Sequence, residues 1–511
     1  MREQCYAVTA VTEIDPIRSE LRKRFSNIRE VSRDETFEVF DSFDWRLYNK
    51  GWLLLKEKGG YALIDRRSGQ GRYHLAVDDG RTRSFHWDFP ESDLSAALEA
   101  VLDMRALLPL GKIHRHRVRY DLLNRDEKTV VRLAMETFSG KRTDAAVRLF
   151  RLIPVRGYEK EAQKVAGCLQ YAGLGPTDEA FPVLTVLALH DHPPGVYSSK
   201  INVSLQPAMR AAEAVRCILG DLVSVIQINL PGLCQDIDIE FLHDFRVAVR
   251  RARSLLSQMK GVLDVETTAT LQRRLKVLGK ATGNVRDLDV YLLKEAEYSG
   301  VLPDLLKPGI GYLFGMLKRK RRNARDRMIK AMGGVEIAAA LVDLKAFATE
   351  GHGPAIIGPQ GNLPIGELAK SAIFKRYRRI IQQGGRISDA TLDEKLHALR
   401  IECKKLRYLL EFFASLFPND AVQVMIKQLK QLQDNLGGFN DLSVQQAFMR
   451  DRLNALRPQT DQLVILAAAT GALITHLHTA QRRVRSQSLD AFETFRAPEN
   501  QERFTTLFDG V

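Results

Sequence analysis

The sequence predicts a two-part protein, in which an α+β N-terminal region precedes an all-helical C-terminal region built from two related halves. Three observations carry this prediction. Short apolar runs separated by glycine turns fill residues 1–175, the pattern is helical almost throughout from about residue 205, and two helical segments recur at one fixed offset. With 511 residues, the chain is long enough for two or three domains and a large core.

The N-terminal region has the pattern of strands and hairpins. Residues 39–67, VFDSFDWRLYNKGWLLLKEKGGYALIDRR, contain apolar runs broken by the turn signals NKG and KGG. Residues 113–124 (IHRHRVRYDLLN) and the TVVRLAME that follows DEK indicate another hairpin, and 144–155 indicate a further strand. Residues 160–174 predict a helix that ends at a glycine. We expect the domain boundary in the connector HDHPPGVYSSK, residues 190–200.

The helical region contains an internal repeat. LHDFRVAVRRARSLL (242–256) aligns without gaps to LHALRIECKKLRYLL (396–410), an offset of 154 residues. The same offset aligns LKVLGKATGNVRDLDV (275–290) with LKQLQDNLGGFNDLSV (429–444). This period is far too long for a solenoid, so it predicts two fused helical bundles with pseudo-twofold symmetry. The segment GHGPAIIGPQGNLP (351–364) divides the halves.

The charge is uneven along the chain. The formal net charge is +14, and residues 201–511 hold 44 Lys and Arg against 33 Asp and Glu, a net of +11. This excess favours an anionic partner such as nucleic acid, polyphosphate or a membrane surface. The five cysteines lack metal or disulfide spacing, the N-terminus lacks a leader pattern, and the apolar stretch Leu463 to Thr475 is too short to span a bilayer. We therefore expect a cytoplasmic protein.

A helical wheel separates residues 242–256 into a buried arc and an adjoining cationic stripe about 15 Å long. Arg251 lies outside both arcs. Thr391 and Glu394 have the spacing of a capping box that would begin the second copy of this helix. The stripe residues of the two copies are His243, Arg246, Arg250 and Arg253, and His397, Arg400, Lys404 and Arg407.

Other helices carry similar cationic stripes. Each could be a solvated face stabilised by i,i+4 ion pairs, but Asp and Glu are absent from residues 245–263 and 305–325 of the sequence. We therefore expect an external anion or a bound acidic segment to neutralise them. The additional candidate residues are Arg273, Lys276, Lys280, Lys318, Arg321, Arg322, Arg325, Lys375, Arg378, Arg379, Lys427, Lys430, Arg482 and Arg483.

The residue types favour phosphate without bases. Arginine forks match phosphate oxygens, whereas nucleic-acid binding often adds exposed aromatic rings, for which Tyr377 and Tyr408 are the main candidates. His243 and His397 are expected either to pack beside the core or, when protonated, to join the phosphate site below neutral pH. Carboxylates and cysteines at metal-ligand spacing are missing around them, so we expect neither a metal nor another cofactor.

The two L-H-x-x-R-x-x-x-[RK]-[RK]-x-R-x-L-L copies, with the segments at 283–290 and 437–444, resemble the CHAD domain (conserved histidine α-helical domain). The resemblance covers about 205–500, with halves of about 205–350 and 360–500. It implies two pseudo-symmetric four-helix bundles that bind inorganic polyphosphate through basic residues and locate to polyphosphate granules. The second copy departs from the first at Asn440, which replaces Arg286, and at Asp434, which replaces Lys280.

Residues 1–190 resemble a degenerate CYTH domain, the triphosphate tunnel β-barrel. The resemblance is carried by FEVFDSFDWRLYNKGWLLLKEK (37–58), but the start MREQCYAVTA has Glu3 alone where the family has E-x-E-x-K. Since the family's hydrolysis requires clustered carboxylates for Mg²⁺ or Mn²⁺, and only Glu136 stands out, we expect a non-catalytic domain. Basic residues that could line an anion cavity, or equally be surface positions, are Lys56, Arg117, Arg119 and Arg132.

The leading hypothesis is therefore non-catalytic binding of polyphosphate by the helical region, at polyphosphate granules. Two alternatives remain open at this point. One is a metal-dependent triphosphatase or polyphosphatase of the CYTH type, and the other is a nucleic-acid-binding module.

Overall fold

In a computed structural model, the chain folds into two compact units, Met1–Ser198 and Ser199–Val511. The predicted connector at 190–200 and the first part of the 351–364 segment lie mostly outside the described residues. The structure describes residues 3–8, 14–25, 27–77, 81–140, 146–178, 182, 185, 187, 195, 197–350, 357–388, 391–454 and 461–509.

The N-terminal unit contains an antiparallel sheet with the order β5-β4-β3-β2-β6-β7-β8-β1-β9. Its strands are β1 (Gln4–Val8), β2 (Asn27–Ser42), β3 (Trp52–Glu57), β4 (Gly60–Asp65), β5 (Gly71–Ala76), β6 (Leu107–Leu123), β7 (Thr129–Gly140), β8 (Ala146–Pro154) and β9 (Pro176–Thr177). Its helices are α1 (Asp15–Arg24), α2 (Arg46–Asn49), α3 (Asp93–Leu102) and α4 (Glu159–Tyr171).

The hairpins predicted for this unit are confirmed. β3 pairs with β4, and β6 pairs with β7, both antiparallel. Gly51 and Gly59 have φ angles of 83° and 93°, in the left-handed region that glycine adopts without steric cost. α4 ends before Gly173, at φ 81°, as the sequence predicts.

Apolar residues cover both faces of the sheet. α1 and α4 pack on one face around Tyr120 and Leu152, while α3 packs against β3 and β4. A further cluster on the sheet contains Phe37, Ile113 and Phe138. The sheet is not closed into the expected barrel, since the described parts of the edge strands β5 and β9 pair only with their inner neighbours.

The C-terminal unit is helical. Its first half contains α5 (Ala211–Gln235), α6 (Ile239–Gln258), α7 (Val265–Leu292), α8 (Glu295–Gly300), α9 (Lys307–Met332) and α10 (Val335–Glu350). Its second half contains α11 (Ile365–Gly384), α12 (Asp393–Phe412), α13 (Asn419–Asn454), α14 (Asp461–Phe495) and α15 (Pro498–Phe508).

The two halves obey the predicted pseudo-twofold symmetry. α5, α6, α7 and α9 each begin 154 residues before α11, α12, α13 and α14, respectively. Backbone hydrogen bonds repeat the relation: Ala211 N–H donates to Leu363 O, and Ile365 N–H donates to Met209 O, both at 2.9 Å. The 154-residue offset relates Ala211 to Ile365 and Met209 to Leu363, so each of these two bonds is the symmetry equivalent of the other. The pseudo-twofold axis therefore passes between the start of α5 and the start of α11.

The repeated helices differ in how they begin and end. Asp238 caps α6 by accepting hydrogen bonds from the N–H groups of Glu240 and Phe241. The predicted capping box of α12 is wrong, because the helix begins at Asp393 after the apolar Leu392, and Thr391 Oγ1 accepts from Ser388 N–H. α9 and α10 are separated at Gly333 and Gly334, whereas α14 continues through the corresponding positions.

Two helices, Ala211–Gln235 and the segment Leu463–Phe495, are long and apolar enough to cross a membrane by length and composition. The uncharged run after Leu463 extends to Gln481, beyond the expected end at Thr475. Core helices of bundles pass the same test, and both helices pack against neighbouring helices of this unit, so the finding is weak support for a membrane span.

Candidate anion-binding groove

A cationic groove lies where α6 and α7 of the first half meet α12 of the second half. Its volume is about 840 Å³. Among the described residues that line it, all charged side chains are basic: Arg250, Arg253, Arg273, Lys276, Arg400, Lys404 and Lys405. Hydroxyl groups of Ser254 and Ser257 add hydrogen-bond donors. The groove therefore offers many cations to an anion that reaches it from solvent.

Both copies of the repeat contribute to this groove. Arg250 and Lys404 occupy equivalent positions, 154 residues apart, on the packed helices α6 and α12. Burial, followed by repulsion from the neighbouring Arg400 and Arg250, lowers the pKa of Lys404 to about 8. The positive potential at this lysine is therefore only partly compensated by the protein.

The first arginine of each copy lies against a glycine of the following helix. A Cβ atom built at Gly283 would lie 3.6 Å from Arg246 Nη1, and one built at Gly437 would lie 3.8 Å from Arg400 Nε. Arg246 donates to the backbone oxygen of Gly279 at 2.9 Å, and burial lowers its pKa. The guanidinium groups are thereby held close to the helix interface.

The two histidines also occupy equivalent positions. Arg286 Nη2 donates to His243 Nδ1 at 2.7 Å, so this nitrogen is unprotonated in this arrangement. His397 Nδ1 is hydrogen-bonded to Asn440 Oδ1, at the position equivalent to Arg286. His243 is half-buried and His397 is exposed. The histidines thus link the second and third helices of each half.

Several predicted cations have acidic partners from other helices. Arg321 makes ion pairs with Asp236 at 2.6 Å and Asp289 at 2.9 Å, and Arg325 lies 3.1 Å from Asp236. Lys318 pairs with Glu295 at 2.8 Å. The expectation that these cations require an external anion is therefore wrong for this cluster, because the missing partners are supplied by tertiary structure.

A second set of carboxylates neutralises cations around α12. Glu411 binds both Arg251 and Arg407, at 2.9 and 3.0 Å. Glu402 lies 3.5 Å from Arg379 and also pairs with Arg376. Arg407 and Arg379 are therefore tied to this carboxylate pair and do not line the groove.

The remaining predicted cations are exposed and lie outside the groove lining. They are Lys280, Arg322, Lys375, Arg378, Lys427, Lys430, Arg482 and Arg483. Lys427 and Lys430 are equivalent to the groove residues Arg273 and Lys276, so the groove uses the third helix of only the first half.

Sequence reasoning missed Lys405 and mistook two tyrosines. Lys405 directly follows the stripe residue Lys404 in the sequence but was not predicted as part of the stripe. It lines the groove together with residues of α6. Tyr377 and Tyr408 are 4% and 3% exposed, and Tyr377 stacks on Phe504. Both rings are therefore buried, and Tyr408, although it is part of the groove lining, offers little surface to a nucleic-acid base.

A second cleft, of about 750 Å³, lies between α7 and α13. Its lining includes the equivalent carboxylates Asp287 and Asp441, together with Arg327 and Arg452. Its mixture of charges makes it a poorer site than the groove for a polyanion.

In the N-terminal unit, the expected carboxylate Glu136 is 1% exposed and neutralised. It pairs with Arg117 at 3.2 Å and Arg151 at 3.1 Å, and Arg151 also pairs with Glu3. Arg119 and Arg132 lie 3.0 and 3.7 Å from Asp121. Lys56 lies over the Tyr61 ring.

These ion pairs leave Glu136 poorly placed as a metal ligand. Within the part of the chain that the structure describes, groups of three or more His, Cys, Asp or Glu side chains able to hold a metal ion are absent.

Comparison with known proteins identifies part of the helical unit. Residues 217–450 match the family model of the CHAD domain, which confirms the resemblance drawn from the repeats. No curated protein matches the chain.

Solved structures that the chain resembles include the CHAD domain from the plant Ricinus communis, at 22% identity and a TM-score of 0.44 over 62% of this chain and 96% of that chain. PptA from Streptomyces chartreusis is similar at 15% identity and a TM-score of 0.44, over 56% of this chain and 100% of that chain. A putative adenylate cyclase from Bacillus halodurans is similar at 11% identity and a TM-score of 0.23, over 34% of this chain and 90% of that chain.

Proposed function

We propose that this protein, whose residues 217–450 match the family model of the CHAD domain, binds inorganic polyphosphate, without catalysis, in the groove between α6, α7 and α12. The observation that carries the proposal is the groove lining, in which basic side chains of both halves converge and the described residues supply no carboxylate.

A linear polyanion suits this arrangement physically. The lining cations repel one another, and that repulsion contributes to the low pKa of Lys404. A chain of phosphates carries negative charge at short, regular intervals, so one molecule can contact several cations at once through charge-assisted hydrogen bonds. The groove is open to solvent, so a long ligand can extend beyond it.

The structural placement of other residues makes the alternatives less favourable. Tyr377 and Tyr408 are buried, so they do not support base stacking on nucleic acid. Glu136 is paired with two arginines, so it does not support metal-dependent hydrolysis of triphosphate in the N-terminal unit. Binding rather than turnover is the activity that these residues favour.

Calorimetric titration with long-chain polyphosphate tests the proposal. Arg250→Glu with Arg253→Glu should weaken binding by at least about tenfold, because both side chains are exposed in the groove. Lys330→Glu with Lys345→Glu is the matched control, since these exposed lysines lie outside the groove and change the net charge equally. Unchanged binding by the folded groove variant would refute the proposal.

Salt and competitor experiments separate polyphosphate from nucleic acid. If about seven cations contact phosphates, affinity should fall by roughly a thousandfold between 50 and 200 mM salt, by analogy with counterion release from nucleic acid. Duplex DNA that displaced polyphosphate at equal phosphate concentration would favour the nucleic-acid alternative instead.

In the cell, the proposal places the protein in the cytoplasm at polyphosphate granules. A fluorescently tagged chain should overlap with stained granules, and the Arg250 and Arg253 charge reversal should disperse it. A wild-type protein that stays dispersed where granules are abundant would contradict this location.

A further inference from the structure

Lys404 and Lys405 are adjacent amines in the same groove with different surroundings. Lys405 forms an ion pair with Glu402, at 2.9 Å. Lys404 is half-buried and faces mainly other cations: Arg400 and Arg407 on its own helix and Arg250 on α6. Asp441 on α13 is the acidic group that acts on it, and Asp441 also accepts a hydrogen bond from Arg400 at 3.2 Å. The groove thus holds one lysine as a paired cation and presents the other beside arginines.

This environment gives Lys404 the properties of a nucleophile. Burial, followed by repulsion from Arg400 and Arg250, lowers its pKa to about 8. An ordinary lysine, with a pKa near 10.4, is almost entirely protonated at pH 7.5, whereas roughly a quarter of an amine with a pKa of 8 is neutral. Only the neutral amine has the free electron pair that attacks a carbonyl carbon.

We propose that Lys404 is an acylation site for acyl phosphates, which dock their phosphate on Arg250 and Arg400 and present their carbonyl carbon to the lysine amine. This inference rests on the same groove as the proposed function. It requires the groove to bind a phosphate group, but it does not require polyphosphate to be the natural ligand.

The reaction balances without another reactant. The Lys404 nitrogen forms a bond to the acyl carbon, and the bond between that carbon and the phosphate oxygen breaks. Phosphate leaves with the electron pair of that bond and takes the proton released by the amine. The products are an amide on Lys404 and hydrogen phosphate, and the two arginines stabilise the leaving phosphate by hydrogen bonds.

Acylation would regulate the groove. The amide carries no charge, so it removes a cation from the centre of the lining and weakens polyanion binding. Conversely, a bound polyanion occupies the phosphate site and favours the protonated amine, so it protects Lys404. Acyl phosphate and polyphosphate therefore have opposite effects on Lys404, because the first removes its charge and the second keeps the amine protonated.

Incubation of the full chain with acetyl phosphate, followed by peptide mass spectrometry, tests this inference. At pH 7.5, Lys404 should be acetylated at least about tenfold faster than Lys405, its paired neighbour, and Lys427, an exposed lysine outside the groove. N-hydroxysuccinimidyl acetate, which lacks phosphate, should show a smaller preference. Equal rates at the three lysines, or an equal preference with both reagents, would overturn the inference.

The Lys404→Arg variant separates modification from binding. Acetyl phosphate treatment should weaken polyphosphate binding by the wild type but not by this variant, which keeps the charge and lacks the amine. An equal loss in both would assign the effect to other lysines and overturn the regulatory role. Titration of untreated protein with polyphosphate tests the proposed function separately, since selective acetylation without polyphosphate binding would refute only that function.

Discussion

Adjacent residues of one basic cluster have different roles. Arg321 is tied to Asp236 and Asp289, the latter 2% exposed, whereas Arg322 is exposed. Burial raises the pKa of Asp289 even though Arg321 opposes this change. The Arg321 guanidinium therefore opposes the protonation of a desolvated carboxylate and links α9 to α7, which is a structural role rather than a ligand contact.

Replacement of Arg321 should destabilise the protein strongly. Arg321→Ala leaves the buried Asp289 without its ion-pair partner and should lower the free energy of unfolding by about 3–5 kcal/mol. Arg322→Ala, the matched neighbour, should change it by less than about 0.5 kcal/mol. Urea-induced unfolding monitored by circular dichroism measures both, and equal effects would contradict the assigned role.

The pH dependence of polyphosphate binding should depend on Lys404. Because its pKa is lowered to about 8, the free side chain loses its charge as the pH rises through 8, and wild-type affinity should fall in that range. Lys404→Arg stays charged and should show no such fall, whereas Lys405→Arg should behave like the wild type. Calorimetry at pH 8 in two buffers of different ionisation enthalpy should also detect proton uptake on binding. The absence of uptake would contradict the assignment.

Asp41 should give the N-terminal unit a separate pH dependence. Burial raises its pKa to about 7, although the N–H groups of Ser42, Leu47 and Tyr48 donate to its carboxylate and oppose the shift. Its unfolded pKa is near 3.9, so the folded state binds the proton more tightly. The contribution of Asp41 to the free energy of unfolding is therefore complete below pH 4 and is lost as the pH rises through 7.

Urea-induced unfolding across pH 4 to 8 measures this contribution. In Asp41→Asn, the decline in unfolding free energy between pH 4 and 7 should be reduced, whereas the exposed Asp126→Asn should retain it. Identical pH profiles for the wild type and Asp41→Asn would exclude this role.

At the scale of elements, equivalent helices contribute unequally to the groove. α7 places Arg273 and Lys276 in the lining, whereas α13 leaves the equivalent Lys427 and Lys430 exposed outside it. The sequence repeat predicts both pairs as ligands. Since the pairs have the same spacing and the same charge, only the packing of their helices distinguishes them.

A comparison of the two pairs tests this asymmetry. Arg273→Glu with Lys276→Glu should weaken polyphosphate binding by about tenfold or more, and Lys427→Glu with Lys430→Glu by less than about threefold. Each double variant changes the net charge by the same amount, so each is the control for the other. Equal losses would show that the ligand contacts both halves alike.

At the scale of the whole molecule, the helical unit has its own core and holds the complete groove. A fragment of residues 199–511 should therefore remain helical and bind polyphosphate within about threefold of the full chain. Calorimetry on both proteins measures this. A helical fragment with much weaker binding would assign part of the site to residues 1–198.

Much of the fold follows from local patterns. The NKG and KGG turns and the apolar alternation predicted the hairpins of the N-terminal unit, and the 154-residue repeat predicted the helical halves. The open edge of the sheet was not predicted, because the pairing of β5 and β9 depends on contacts between distant strands. The N-terminus of α12 also differed, since Asp393 binds Gln481 and Arg485 of α14.

The sequence by itself determined the duplicated helices, the cationic stripes and the match to the CHAD domain model, since these depend on residue type and spacing along one chain. Tertiary structure alone decided which cations are available. Asp236, Asp289, Glu402 and Glu411 reach Arg321, Arg379 and Arg407 only after folding, while the packing of α6 on α12 brings Arg250 to Lys404. Charge compensation depends on distances between helices, and local sequence does not specify those distances.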